Sequence, residues 1–336
     1  MKICLCGYYG MGNFGDELFL ETFKQIFAGH EVFGWSPYLD PASIDAVIIG
    51  GGDLITPYHF NSFYFPPALK HLPTWVYGVG IVDAYPPETW PEAEIAKYRE
   101  RLSGIRGFCV RDQRSAGYGR MLKLHDRIET VPDPVFAYRE PGIPLRRFSS
   151  RPVIGLCLFS YPSFPLEKMA RILAGLIQEG YHLVLLPVVN QPNNAYADLA
   201  MCQKLRQKIG ELAPGASITL PSGQYNLETT YRYVTNVDYL ISFKLHPSLA
   251  ALRSGVPVFC LSQMSKVRSL LQLFDLEEYF CNYDDDGAAI GRRLRDFLTH
   301  GKKRVDLASP LVRLVEKQSR DSLLLLKKQI EALVSG

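Results

Sequence analysis

The chain has 336 residues, of which 47% are hydrophobic and 21% charged, and its 37 Lys and Arg against 34 Asp and Glu leave a net charge of +3. The apolar share excludes a largely disordered chain, and the length favours two domains. The charge is too balanced for a protein built on phosphate neutralisation along a nucleic acid, so no nucleic-acid partner is expected.

In chain order, the first block opens with a short apolar strand at Lys2–Cys6, a Gly-rich turn and an amphipathic stretch from Phe14 to Phe27. Strands are predicted at Val32–Gly34, Ala46–Ile49 and Trp75–Val79. A helix follows at Pro91–Ser103, a strand at Ile105–Val110, a helix at Gln113–Leu124 and a strand at Ile128–Val131. Short apolar strands separated by helices imply a parallel sheet covered on both faces.

The segment Tyr138–Pro152 carries three prolines and lacks periodicity, which reads as a linker. The second block has strands at Val153–Phe159, His182–Pro187, Ser217–Leu220, Tyr239–Ser242 and Val256–Leu261. Its helices fall at Leu166–Glu179, Tyr196–Ala213, Leu227–Thr235, Pro247–Ser254 and Lys266–Phe274. A last helix spans Pro310–Leu333, with Leu311, Leu314, Val315, Leu323, Leu326, Ile330 and Leu333 at roughly helical spacing. Packing on the body of the protein is the reading adopted for it; contact with a membrane surface is the second.

The expected organisation is an N-terminal domain over 1–140, a linker over 141–152, a C-terminal domain over 153–309 and a C-terminal helix over 310–336. The fold class is α/β, two Rossmann-like domains facing a cleft. No apolar run approaches the ~20 residues that span a bilayer, and the chain enters a Gly-rich loop within ten residues of its start. A cytoplasmic protein is expected, with peripheral contact at the inner membrane face as the variant. The seven cysteines, an odd number without a C-x-x-C pair, read as buried reduced thiols. No metal site is expected, because no His or carboxylate set has ligand spacing.

Each motif with chemical content falls where a strand ends, which is where ligands sit in open α/β sheets. The loop Gly7–Glu17 contains Gly10, Gly12 and Asn13 and opens a helix with Asp16 and Glu17 in its first turn. It suits an anion or a polar ligand; the alternatives are dipole partners at 16 and 17 and a cap at Asn13. Gly50, Gly51, Gly52 and Asp53 follow a buried strand, and Gly78 and Gly80 another. Arg111, at the end of the next, has a fork that suits phosphate or carboxylate, or an internal pair with Asp112 or Asp133. Lys244 and His246, two residues apart at a helix start, suit an anionic substrate plus proton transfer; the alternative for the histidine is a satisfied core or surface imidazole. Lys266 follows the next strand as an anion ligand or a surface residue. The aromatic stretch Tyr58–Phe65 reads as a packed loop or a dimer contact ahead of a sugar-stacking platform.

Taken together, Gly7-Tyr8-Tyr9-Gly10, Gly12-Asn13, Gly15-Asp16-Glu17, Gly50-Gly51-Gly52, Gly78 and Gly80, Val110-Arg111-Asp112 with Ser115, Asp133-Pro134, Leu245-His246 and Ser265-Lys266 resemble the polysaccharide pyruvyl transferase family, in its order. The resemblance covers roughly residues 1–275. It implies a GT-B-like fold and transfer of a ketal-linked pyruvate from phosphoenolpyruvate to a sugar of a bacterial cell-surface polysaccharide or glycolipid precursor, free or lipid-linked. Phosphoenolpyruvate is then a co-substrate, and no cofactor is required. By position, His246 becomes the general acid/base and Arg111, Lys244 and Lys266 the donor ligands. Gly10, Gly12, Asn13, Asp16, Glu17, Gly51, Gly52 and Asp53 line the acceptor side. The family usually has Arg where this chain has Lys244, which keeps the charge and loses the bidentate fork. The alternatives are a nucleotide-sugar glycosyltransferase of GT-B type and a non-catalytic sugar- or phosphate-binding protein.

Overall fold

The computed structural model describes residues 1–140, 142, 145–191, 197–221 and 226–334. The chain forms two compact units. Unit 1 comprises Met1–Met11, Gly15–Arg139 and Val315–Gly336; unit 2 comprises Gly12–Phe14 and Glu140–Leu314.

Unit 1 runs β1 (Lys2–Cys6), α1 (Phe14–Ile26), β2 (Glu31–Gly34), β3 (Ala46–Gly50), β4 (Thr74–Val79), α2 (Glu92–Leu102), β5 (Gly107–Val110), α3 (Gln113–Met121) and β6 (Glu129–Thr130). Its sheet is parallel, in the order β2-β1-β3-β4-β5-β6. The strand order reverses at β1, so the switch point lies at β1 and β3, whose ends carry the Gly7–Glu17 loop and Gly51–Asp53. Burial on both faces explains why β3 is apolar without alternation. α1 forms because Phe19 and Phe23 recur four apart on its buried face, with Phe27 buried just past its end, Asp16 and Glu17 in its first turn and Lys24 in its last.

Unit 2 runs β7 (Val153–Cys157), α4 (Leu166–Gln178), β8 (His182–Leu185), α5 (Asp198–Leu212), β9 (Ile218–Thr219), α6 (Leu227–Thr235), β10 (Tyr239–Ser242), α7 (Leu245–Arg253), β11 (Val258–Leu261), α8 (Ser265–Gln272), β12 (Phe280–Cys281) and α9 (Gly287–Val334). The parallel order β12-β11-β10-β7-β8-β9 places its switch point at β7 and β10. Phe159, Phe164 and Phe243 pack beyond those two strands with ring centroids 5.3–5.5 Å apart and fix the loops there.

Two expectations change. The C-terminal helix begins at Gly287, not Pro310, and is 48 residues long with Pro310 inside it. Pro310 is exposed, so water can satisfy the carbonyl that its missing N–H leaves open. α7 starts at Leu245, two residues before the Pro taken as its start, so His246 and Pro247 sit in its first turn. Tyr196, expected to open a helix, and residues 141, 143 and 144 of the expected linker lie outside the described residues, as do 335 and 336.

The last part of α9 belongs to unit 1. There Ser319 donates to the Asp133 carbonyl at 3.0 Å, Tyr77 meets Ser322 at 2.7 Å, and Lys327 donates to the Ile26 and Ala28 carbonyls at the end of α1. All seven cysteines are free and six are buried. Phe65 is buried and Phe60 packs on Tyr98 at 4.9 Å, so most of the Tyr58–Phe65 stretch is a packed loop.

Candidate functional site

The switch point of unit 1 is built around Arg111. Its side chain is only 4% exposed, its guanidinium pairs closely with Asp53, and Asp112 lies 3.7 Å from Nε. Burial opposes the charge on Arg111, but the carboxylates of Asp53, Asp133, Asp112 and Asp16 outweigh it and hold its pKa above the ordinary value. Two of these carboxylates are fixed by the backbone: Asp112 caps α3 through the Ser115 N–H at 2.7 Å, and Asp133 accepts from the Val135 N–H at 3.0 Å. Gly80 runs so close beneath the Arg111–Asp53 pair that an added Cβ would fall on Asp53 Oδ1 and lie 2.7 Å from Arg111 Nη2.

Asp16 and Glu17 occupy the first turn of α1, with Asp16 buried. Gly52, at φ +74°, comes so close that a Cβ there would sit 2.9 Å from Asp16 Oδ1. Glu17 Oε1 is buried and accepts no hydrogen bond from the described residues. Gly51 is buried beside Tyr9, whose hydroxyl donates to the Gly50 carbonyl; burial and then Asp16 push that phenol well up. Gly10 is exposed. Arg111, with Arg114 Nε 4.0 Å from Asp112, stands among the carboxylates of Asp16, Glu17, Asp53, Asp112 and Asp133, so the site is acid-rich and offers hydrogen-bond acceptors.

Gly12 and Asn13 belong to unit 2. The Gly12 carbonyl accepts from Asn190 at 2.8 Å, Asn13 forms an antiparallel bridge with Val189, and the Phe14 N–H donates to Val188 at 2.9 Å.

The switch point of unit 2 has the opposite character. Lys244, the N-cap residue of α7, reaches Asp198 at the start of α5, with Nζ 2.7 and 3.0 Å from its two carboxylate oxygens. Asp198 is fully buried and accepts the N–H groups of Val188 and Val189 at 3.0 and 2.9 Å. Its position is therefore set by the loop after β8, and it sets that of Lys244. Sequence reasoning missed Asp198; it lies 46 residues from its partner and in no motif. The Lys244 carbonyl in turn accepts from Ser242 and Ser248.

His246 is the second residue of α7 and is half-buried, and Lys266 is the second residue of α8, after the adjacent strand β11. Lys244, His246 and Lys266 thus share the carboxyl ends of β10 and β11 in unit 2. Arg111 does not join them; it belongs to unit 1. The Lys244 side chain is 23% exposed and keeps one ammonium proton beyond the two directed at Asp198. Where a donor anion is expected, Arg111 Nη2 meets Asp53, while Nη1 is buried with no hydrogen-bond partner among the described residues.

The polysaccharide pyruvyl transferase family matches residues 13–264. No curated protein sequence matches significantly. Similar solved structures include sucrose-phosphate synthase from Thermosynechococcus elongatus, at 11% identity over 99% of each chain with a TM-score of 0.62. A glycosyltransferase from Rickettsia africae aligns at 11% identity over 98% of each chain with a TM-score of 0.63. UDP-GlcNAc 2-epimerase from Neisseria meningitidis, solved with UDP-GlcNAc bound, aligns at 10% identity over 100% of each chain with a TM-score of 0.58. At such identities the likeness speaks for the fold alone, two Rossmann-like units of GT-B-like type. The family match extends from the Gly-rich loop through the strand ends that carry Lys244 and His246, and the chain belongs to the polysaccharide pyruvyl transferase family.

Proposed function

We propose that the protein transfers the pyruvyl group of phosphoenolpyruvate to two hydroxyls of one sugar, leaving a cyclic ketal on a bacterial cell-surface polysaccharide or glycolipid precursor. The observation that carries this reading is that Lys244 and His246 follow β10 and Lys266 follows its neighbour β11, at the carboxyl ends of adjacent strands of unit 2, in a chain of this family. A donor with up to about three negative charges calls for fixed cations, and Asp198 holds Lys244 in place before the donor arrives.

The acid-rich switch point of unit 1 supports the complementary role. Sugar hydroxyls are donors, and Asp16, Glu17 and Asp53 offer carboxylate oxygens to receive them. In this scheme Arg111 positions Asp53 and does not touch phosphate, since an anion there would face several carboxylates.

A proton adds to the donor's methylene carbon and makes the central carbon electrophilic. One hydroxyl oxygen bonds to that carbon and loses its proton. The second hydroxyl oxygen then bonds there as the C–O bond to phosphate breaks and its own proton leaves. Phosphate departs and the ketal remains. His246 is the group that gives and takes these protons.

The test is a thermal-shift series with phosphoenolpyruvate, pyruvate, phosphate and nucleotide sugars, followed by mass spectrometry of sugar acceptors incubated with donor and enzyme. Protection by phosphoenolpyruvate and a ketal-bearing product are expected. Protection by nucleotide sugars alone would overturn the donor assignment and move the protein to glycosyl transfer.

A further inference from the structure

A cavity of about 640 Å³ opens within unit 2 between one face of α4 and the first turns of α9, in the size range of small-molecule sites. It is lined by neither Lys244, His246 nor Lys266. Glycines leave the space. A Cβ on Gly175 of α4 would lie 3.7 Å from Arg295 Nη2, and one on Gly291 of α9 3.4 Å from Nη1, so the Arg295 guanidinium lies against both. Glu179 holds it there, 2.8 Å from Nε and 2.6 Å from Nη2. One turn nearer the start of α9, the stem of Lys168 lies against Gly287, and its ammonium donates to the Tyr283 and Asp285 carbonyls at 2.9 and 2.8 Å. Two cations fixed in place thus frame the cavity.

Two more line it, Arg171 and Arg292. Both are exposed, and neither makes a hydrogen bond or ion pair with any described residue. The carboxylates on adjoining turns are directed elsewhere. Asp286, the one carboxylate among the described lining residues, caps α9 through the Ala289 N–H at 2.9 Å. Asp285 accepts from the Asn282 N–H at 3.1 Å and Asp284 meets Gln263. Glu167 pairs with Lys208 at 3.1 Å, and Asp296 lies 3.7 Å from His300. Even with Glu179 set against Arg295, positive charge is in excess on a concave surface, where its field is concentrated.

A guanidinium fork engages two oxygens of a carboxylate or phosphate. Two unpartnered forks on one cavity call for more acceptor oxygens than a single carboxylate has, and a phosphate group supplies three. Beside them, buried Leu176, half-buried Ile172 and the small Ala288 give a partly apolar wall for the rest of a ligand.

We propose that the groove between α4 and α9 is a second ligand site, which binds an organic phosphate of up to nucleotide size, with Arg171 and Arg292 gripping the phosphate between the fixed charges of Lys168 and Arg295. This inference does not rest on the donor or on the ketal product.

The test is isothermal titration of the full chain with ADP, with glucose 6-phosphate and with malate. It compares wild type, Arg171→Gln/Arg292→Gln and a charge-matched control, Lys204→Gln/Arg206→Gln, which removes two exposed cations of α5. Saturable one-to-one binding of at least one of the two phosphates is expected, weakening as salt is raised. It should be about tenfold or more weaker in Arg171→Gln/Arg292→Gln and unchanged in the control. Because neither arginine has a partner to lose, the melting temperature without ligand should stay that of wild type. Which phosphate binds tells a nucleotide site from a sugar phosphate site. Failure of both phosphates to bind wild type would overturn the proposal, as would undiminished binding by Arg171→Gln/Arg292→Gln or an equal loss in the control. Malate binding as tightly as either phosphate would overturn the assignment to phosphate.

Discussion

Replacing Asp198 with Asn removes one charge from unit 2 and nearly nothing else. The amide oxygen still receives the Val188 and Val189 N–H groups, but the pair with Lys244 is gone. Asp198 is 1% exposed in its side chain and Lys244 23%, so the pair lies between a surface ion pair, worth about 0–1 kcal/mol, and a fully buried one, where removing a partner costs about 3–5. A loss of about 2 kcal/mol follows for Asp198→Asn, in the range of a hydrogen bond to a charged group. Asp198→Ala also strands two backbone donors and should cost about 4 kcal/mol. For a unit of this size Asp198→Asn should lower the melting temperature by about 4–8 °C, and Asp198→Ala by about twice that. Circular dichroism melts give the values, and a double-mutant cycle with Lys244→Met isolates the pair, with a coupling of about 1–2 kcal/mol expected. If Asp198→Asn melts within about 1 °C of wild type and couples to Lys244→Met by less than about 0.3 kcal/mol, the carboxylate does not hold the lysine and the argument fails.

His246→Ala should cut turnover by about 10²–10⁴ while phosphoenolpyruvate still raises the melting temperature, since the donor cations remain; unchanged turnover would remove His246 from proton transfer. Gly80→Ala drives a methyl group onto the Asp53–Arg111 pair and should cost about 1–3 kcal/mol, read from chemical denaturation. His182 is buried in β8, with its ring nitrogens 2.8 and 2.9 Å from Ser217 and Thr219, and burial lowers its pKa below 6.5. The folded state thus binds this proton less well than the unfolded one. His182 should leave stability intact above pH 6.5 and erode it as the pH falls from 6.5 through the lowered value, a slope that His182→Gln should flatten in melts between pH 5 and 8.

The alternation of strand and helix was readable because the central strands are buried on both faces and so carry apolar runs, as in Val153–Cys157. The first half of α9 escaped notice for a physical reason. Gly287, Gly291 and Gly301 lower helix propensity, and Pro310 imitates a helix start, yet packing along the seam overrides both. β12 is two residues long and leaves no period to detect. In the site, Lys244 and His246 were legible because they sit at the junction of a strand and a helix. Asp198 was not, since only the fold of unit 2 brings the loop after β8 against the end of β10. Arg111 was legible as a charge at a strand end, but the order of preference among its carboxylates was not, because Asp53 comes from a different strand end.

The path of the chain has a consequence for how the protein is made. Unit 1 begins with the first residue but takes its closing piece from Val315 onward. As the polypeptide leaves the ribosome, the strands of the first sheet emerge before all of unit 2, yet the surface that Leu323, Leu326 and Ile330 cover must wait until the segment after Val315 has followed unit 2 out. Cutting the gene after either Rossmann-like half would release a fragment without part of its own core, so the two halves cannot be exchanged or expressed as separate modules by a single cut.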